Sequence, residues 1–381
     1  AIYLAEYPKA LEQGGFIPWE SRNQAVFAVV AVVLGIAASR IPHRIYRKLA
    51  IPLWALTLLL LLAVEFFGTS QNGAKRWISV GGILVQPAEF AKFTALLYLA
   101  HVLADRPKWP KKIPRFDSFA KRVDIVYSAK FRRLIPGILV LFAVFLIEHE
   151  PDLGTAAIVA ASAFGLILAA GVHWKTLVYG GGLVALLLSL AVWKQPYRLQ
   201  RFEVHQMRWE AGRLDSLGFQ TVRSEVAMAE GGLLGVGVGG GQVKYVMPAA
   251  HTDFVMATIS EEMGLLGALA VIGVLAALAL RLGVLAKQTE DRFAKLLLLG
   301  FAWWIASQAA TNVIMANGSF PAIGIPLPFV SYGGSSLIAL WGALGATQAV
   351  WTASARKAKE TEKVAADSHG WRDRRAYLPG P

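Results

Sequence analysis

Long apolar runs, separated by short polar and basic segments, set the pattern of this chain. They fall at roughly 24–39, 51–67, 88–104, 134–150, 152–171, 175–193, 258–286, 296–316 and 334–352. A helix needs about 20 such residues to cross a bilayer. Lipid offers no partner to a free backbone N–H or C=O, so runs of this length predict a bundle of helices rather than sheet or loop. The expected fold class is an all-α polytopic membrane protein. A single membrane domain covers 1–352, and the polar, charged tail 353–381 is expected to be disordered. The opening Ala1-Ile2-Tyr3-Leu4-Ala5, without Met or a cleavable signal, points to one further span ahead of this numbering, which would make about ten.

Between the runs, two loops stand out. One is 68–87. The other, 194–257, is the longest, and its first half (Tyr197 to Leu217) interleaves Arg, Glu and aromatic residues as an amphipathic surface helix would. Segment 105–133 is basic and carries Pro107, Pro110 and Pro114, which reads as a loop with a juxtamembrane polybasic element. Gly231 to Gly241 contains G-x-G-x-x-G at Gly235, Gly237 and Gly240, but no βαβ unit surrounds it, so the dinucleotide-binding reading fails. These glycines let the backbone approach something closely, either another helix or a ligand.

Composition narrows the picture. With 55% hydrophobic and 17% charged residues, a soluble globule is excluded, and the absence of cysteine excludes disulfides, thiol catalysis and cysteine metal sites. The net charge of +13 raises the question of nucleic acid. Its distribution answers otherwise. With residue 1 outside, 26 of the 38 Lys and Arg fall on inner segments and 11 on outer ones, so the excess marks topology and a lipid surface. Segments 68–87 and 194–257 then lie outside and the C-terminus inside. No nucleic-acid partner is expected.

Four clusters could carry chemistry. Asp253, in Ala250-His251-Thr252-Asp253-Phe254, sits at the outer edge of a span, where an acid is expensive. It is either a helix N-cap, a role Thr252 could also fill, or a general base. Glu261 and Glu262 follow, to cap or pair. Glu89 and Lys92 share one helix face at i,i+3, as a structural ion pair or as the lining of a polar cavity. Glu148-His149-Glu150-Pro151-Asp152 lies at a helix corner, where Asp152 either N-caps the next helix or partners Lys92. No His and Glu spacing there resembles a zinc site. Finally, Pro326 to Ser336 holds Ser331, Ser335 and Ser336 with Gly333 and Gly334, either a re-entrant loop and helix start or a phosphate-binding helix N-terminus.

Six motifs occur together and in order: Asn72-Gly73-Ala74-Lys75-Arg76-Trp77-Ile78, Gln86-Pro87-Ala88-Glu89-Phe90-Ala91-Lys92, Pro151-Asp152-Leu153-Gly154-Thr155, His251-Thr252-Asp253-Phe254, Glu261-Glu262-Met263-Gly264 and Pro326 to Ser336. In this the chain resembles the SEDS family, which comprises FtsW, RodA and SpoVE, over essentially its whole length. Ala250, Gln308 and Asn312 favour the FtsW branch, while Ala249 stands where FtsW-like chains carry Glu and Ala88 where many members carry Ser.

The resemblance implies ten spans and a peptidoglycan glycosyltransferase of the bacterial cytoplasmic membrane, polymerising lipid II on the outer face. It places the family's essential aspartate on Asp253, its paired cavity residues on Glu89 and Lys92, a further cavity acid on Asp152 and a loop tryptophan on Trp77. Going from an α-linked pyrophosphate to a β-linked glycan inverts the anomeric centre, and one displacement needs one base, assigned to Asp253. Lys92, Arg76, Arg198, Arg201 or a divalent cation (Mg or Mn) would stabilise the leaving pyrophosphate. His251, Thr252, Ser331 and Ser335 complete the candidate substrate-binding set. The implied partners are lipid II, a class B penicillin-binding protein acting as transpeptidase, and other divisome or elongasome membrane proteins. Septal synthesis is the expected role, with RodA-type elongation and lipid II flipping as alternatives. A flippase gains little from an acid at the outer rim, whereas a polymerase needs one.

Overall fold

A computed structural model describes residues 19–71, 74–105, 136–171, 174–193, 195–210, 218–247 and 250–376. Within them each of the nine apolar runs is a helix: α1 (Trp19–Arg40), α2 (His43–Phe67), α3 (Pro87–Ala104), α4 (Pro136–His149), α5 (Leu153–Ala169), α6 (Trp174–Trp193), α10 (Val255–Lys287), α11 (Arg292–Ala316) and α12 (Gly334–Ala376). Four helices, Ser21–Arg40, His43–Phe67, Val255–Lys287 and Arg292–Ala316, are long and apolar enough to cross a membrane by length and composition, and three shorter apolar helices accompany them. The basic segment expected at 105–133 lies, after Asp105, outside the described residues. Helix α12 continues to Ala376, and residues 377–381 of the polar tail lie outside the described set.

Helix α3 is the centre of the bundle. Pro87 begins it, where a missing N–H costs nothing. It is apolar around most of its circumference and buried against α2, α5 and α11. Around it the helices close by small residues. A Cβ on Gly345 would stand 2.0 Å from the Gly35 carbonyl, so α1 and α12 are in backbone contact there.

The segment 68–87 was expected as a loop. It is a three-stranded antiparallel sheet of β1 (Thr69–Gln71), β2 (Ala74–Val80) and β3 (Ile83–Val85) in that order. Val80 pairs with Ile83 across Gly81-Gly82, and both glycines have positive φ, 58° and 84°. That is the two-residue turn whose twist suits a hairpin. The Gly-Gly pair between β-forming residues was a readable hairpin signal.

The segment 194–257 contains α7 (Pro196–Gln206), α8 (Phe219–Gly231) and α9 (Val243–Val246). The amphipathic helix expected from Tyr197 to Leu217 is thus the shorter α7, and residues 211–217 lie outside the described set. The glycine-rich stretch meets another helix, one of the two approaches expected above. Helix α10 is broken at Gly264, with φ 66° and ψ −169°. The loop mends the break: Val236 and Gly237 N–H donate to the Glu261 and Glu262 carbonyls, and Leu265 and Leu266 N–H donate to the Gly232 and Leu233 carbonyls. A Cβ on Gly235 would lie 2.2 Å from the Glu262 oxygen, so only glycine allows that approach. Backbone groups freed in a membrane helix need such partners.

Candidate active site

Asp253 lies in the turn before α10 and is half-buried. It does not cap that helix. The N-cap is Phe254, without a side-chain hydrogen bond, so the capping reading of Asp253 and of Thr252 falls. Among the described residues no hydrogen bond or ion pair reaches the Asp253 carboxylate. Its pKa is pushed up to about 6, first by burial and then by the negative charge of Asp152. Arg76 and Arg201 pull it down, and Glu89 adds to the rise. The side chain is an acceptor held ready, near neutrality, among charges from four other elements.

Each neighbour is placed by local chemistry. Strand β2 carries Arg76 to the corner between α4 and α5, where its guanidinium donates to the Glu150 carbonyl at 3.1 Å and to the Pro151 carbonyl. Trp77, beside it in β2, is half-buried and pairs in register with Thr69. Asp152 N-caps α5 by accepting from the Thr155 N–H at 3.1 Å, and also accepts from Gln86 Nε2 at 2.9 Å. The capping reading of Asp152 therefore holds, and it is not the partner of Lys92. Arg201 on α7 donates to the Ala322 carbonyl at 2.6 Å. Arg198 lies on α7, with its side chain outside the described set.

Glu89 and Lys92 form a buried ion pair at 2.7 Å. Lys92 also donates to Gln308 Oε1 at 3.3 Å and stands 5.7 Å from the centre of the Trp304 ring. Both charges are inside the bundle, a placement that demands partners.

The two loops around Asp253 are stitched together. Ser331 Oγ donates to the Thr252 carbonyl at 2.6 Å and accepts from the Leu327 N–H at 2.7 Å. The Tyr332 N–H donates to the His251 carbonyl at 2.9 Å, and the two rings meet edge to face. Ser335 Oγ accepts the Gln86 N–H at 3.1 Å, and the Gly333 N–H donates to Gln24 Oε1 at 3.3 Å. The hydroxyls of Ser331 and Ser335 are thus engaged within the protein, which makes Pro326 to Ser336 a braced loop and helix start. Glu261 accepts from the N–H groups of Gln242 and Val243 at the start of α9, and Glu262 pairs with Lys244 at 2.7 Å. His149 is exposed 3.7 Å from Glu65, as a corner residue.

Among the described residues no three His, Asp or Glu stand together to hold a metal ion. Three residues of the site escaped the sequence reading as functional side chains. Gln308 and Asn312 were noted only as marks of a branch, and Glu150 only as part of a charge cluster. Glu150 is buried with neither carboxylate oxygen hydrogen-bonded. Its pKa rises to about 8, through burial and then Asp152, with Arg76 opposing.

Comparison with known proteins shows the family and the fold. The family model described as "Cell cycle protein", of FtsW, RodA and SpoVE, matches residues 1–355. A probable peptidoglycan glycosyltransferase FtsW of Bacillus subtilis is 36% identical over 299 residues, 76% of this chain and 70% of the relative. One of Trichlorobacter lovleyi is 32% identical over 328 residues, 85% of this chain and 81% of the relative. Among solved structures, one of a peptidoglycan synthase complex that coordinates polymerization and crosslinking has a TM-score of 0.70 at 31% identity, covering 88% of this chain and 90% of the other. The rod shape determining protein RodA of Thermus thermophilus has a TM-score of 0.63 at 28% identity, covering 93% and 94%.

Proposed function

This chain belongs to the FtsW/RodA/SpoVE family of cell cycle proteins, and from that membership we propose that it is a peptidoglycan glycosyltransferase that polymerises lipid II, with Asp253 as the base. The observation that carries the reading is the Asp253 carboxylate itself: half-buried, free of hydrogen bonds among the described residues, with its pKa near 6 and two arginines in electrostatic reach. A base works best near its operating pH, and a carboxylate already committed to a cap could not serve.

The sugar hydroxyl of the acceptor gives its proton to Asp253 as its oxygen attacks the anomeric carbon of the donor. The bond to the lipid pyrophosphate breaks in the same displacement, inverting that carbon. Arg76 and Arg201 carry permanent positive charge to the same locale and are suited to pyrophosphate oxygens. In this structure each also donates to backbone carbonyls, and with five N–H donors per guanidinium those bonds do not preclude contact with phosphate. Lys92 is different. Its ammonium is buried against Glu89 and Gln308, and Gln308 in turn donates to the Pro326 carbonyl.

The positive-inside distribution supports an outer location for the sheet, α7 and Asp253, and an inner one for the end of α12. The FtsW names of the relatives support a role in septal wall synthesis. The match to a synthase complex that couples polymerization to crosslinking supports a class B penicillin-binding protein as partner.

The test is polymerisation of labelled lipid II by the purified chain with its transpeptidase partner, parent against Asp253→Asn. Glycan ladders from the parent and none from the folded variant are expected. Ladders from both would remove Asp253 from the chemistry. No ladders from either, with lipid II crossing vesicle bilayers, would replace the polymerase by a flippase.

A further inference from the structure

We propose that Asn312 is the positioning residue of this site: its side-chain amide fixes the Asp253 backbone and the wall facing the Asp253 carboxylate with one group. The inference rests on the reading of Asp253 as the base.

Asn312 lies near the end of α11 and is fully buried. A carboxamide has two N–H donors. Here the Asn312 amide nitrogen donates to the Asp253 carbonyl at 2.7 Å and to the Ile325 carbonyl at 2.7 Å. Both donors are used, one on each of two loops far apart in the chain. The second bond matters as much as the first. A Cβ on Gly324 would come within 3.4 Å of Asp253 Oδ2, so the segment anchored at Ile325 is the surface against which the carboxylate stands. Gln308, one helical turn earlier, repeats the pattern: its Nε2 donates to the Pro326 carbonyl at 2.8 Å while its Oε1 accepts from Lys92 and Trp304. Two amides at i,i+4 on α11 thus join the Glu89–Lys92 pair, the 325–326 segment and Asp253. The Asn312 carbonyl oxygen is buried without a hydrogen-bond partner, a cost that the two donated bonds must outweigh.

No carboxylate or aliphatic side chain can replace this. Aspartate is isosteric but offers at most one donor, and only when protonated, to the two carbonyl oxygens. Leucine removes the polar contacts altogether. In either case the peptide of Asp253 loses its hold, and a displacement of the order of 1 Å at a reacting group costs on the order of a hundredfold in rate.

The experiment uses the full chain with its transpeptidase partner and follows lipid II polymerisation from pH 5 to 8 for the parent, Asn312→Leu and Asn312→Asp. Thr311→Ala is the control, since among the described residues the Thr311 hydroxyl bonds only the Ser307 carbonyl of its own helix. The expected result is a fall in kcat on the order of ten- to a hundredfold for both Asn312 variants, with KM little changed and the control at the parent's rate. The acidic limb of the pH profile moves in opposite directions. In Asn312→Leu, Asp253 gains water and the limb falls below the parent's; in Asn312→Asp, a second carboxyl nearby opposes ionisation and the limb rises. Rates lowered equally at every pH, with the limb unmoved, would make Asn312 a structural strut and overturn the proposal. Rates matching the parent in both variants would do the same. If Asn312→Leu does not fold, the isosteric Asn312→Asp carries the comparison. A parent that makes no glycan overturns the polymerase reading instead, which is how the two failures are told apart.

Discussion

Replacing Glu150 by glutamine should stabilise this protein, and more so as the pH rises. The carboxyl is buried, with no hydrogen bond to either oxygen, and its pKa lies near 8 against an ordinary 4.5. Between those values the folded state holds a proton that the unfolded chain releases, so folding becomes less favourable as pH rises through that window and the loss is complete above about 8. One pKa unit corresponds to about 1.4 kcal/mol. At pH 5 the penalty is under about 1 kcal/mol, and at pH 7 it reaches about 3 kcal/mol, as an order of magnitude. Glutamine has the shape of the neutral acid and cannot ionise. Thermal unfolding of parent and Glu150→Gln in detergent, from pH 5 to 9, isolates the effect, because every other titrating group is common to both. The gap between the two midpoints should be small at pH 5 and widen to pH 8. A gap that stays constant over this range would refute the reasoning, because it would mean that Glu150 titrates alike in the folded and unfolded states.

Two further expectations follow from buried groups. Lys92→Met leaves Glu89 charged and unpaired inside the bundle, at a cost of about 3–5 kcal/mol; adding Glu89→Gln should recover most of it, and denaturation of the single and double variants measures the recovery. Gly264→Ala puts a side chain where φ is +66° and where a Cβ would stand 2.4 Å from the Gly235 nitrogen. Strain of about 1–3 kcal/mol, plus the clash, should release the 231–241 loop from α10, seen as faster proteolytic cleavage in that loop at unchanged sites elsewhere.

Nearly all the helices were legible in the sequence, because the bilayer allows one answer to a long apolar run: a helix that satisfies its own backbone. The nine runs and the nine helices coincide to within a few residues at most ends. The ion pair of Glu89 with Lys92 was legible for a similar reason, since i,i+3 spacing puts both groups on one face before any tertiary contact is known. So was the capping by Asp152, a local bond to a backbone N–H three residues on. The sheet at 69–85 was not, although Gly81-Gly82 announced its turn. Its strands are short, and pairing between strands is a property of neighbours rather than of either strand.

What the sequence determined by itself is the class of molecule, the number of apolar helices among the described residues and the identity of the isolated acid at the start of α10. Each follows from interactions within a few residues of one another, or between a segment and its solvent. Only the tertiary structure decided what surrounds that acid. It removed Asp253 from the helix cap, brought Arg76 from the sheet and Arg201 from α7 within electrostatic reach, and showed that the glycines of 231–241 mend a broken helix. It also bonded Ser331 to the loops at Thr252 and Leu327, and brought Asn312, remote in the chain, to the backbone of Asp253. These contacts join residues tens to hundreds of positions apart. The apolar pattern that makes each helix says nothing about which of its faces meets which neighbour; packing of the whole bundle decides that.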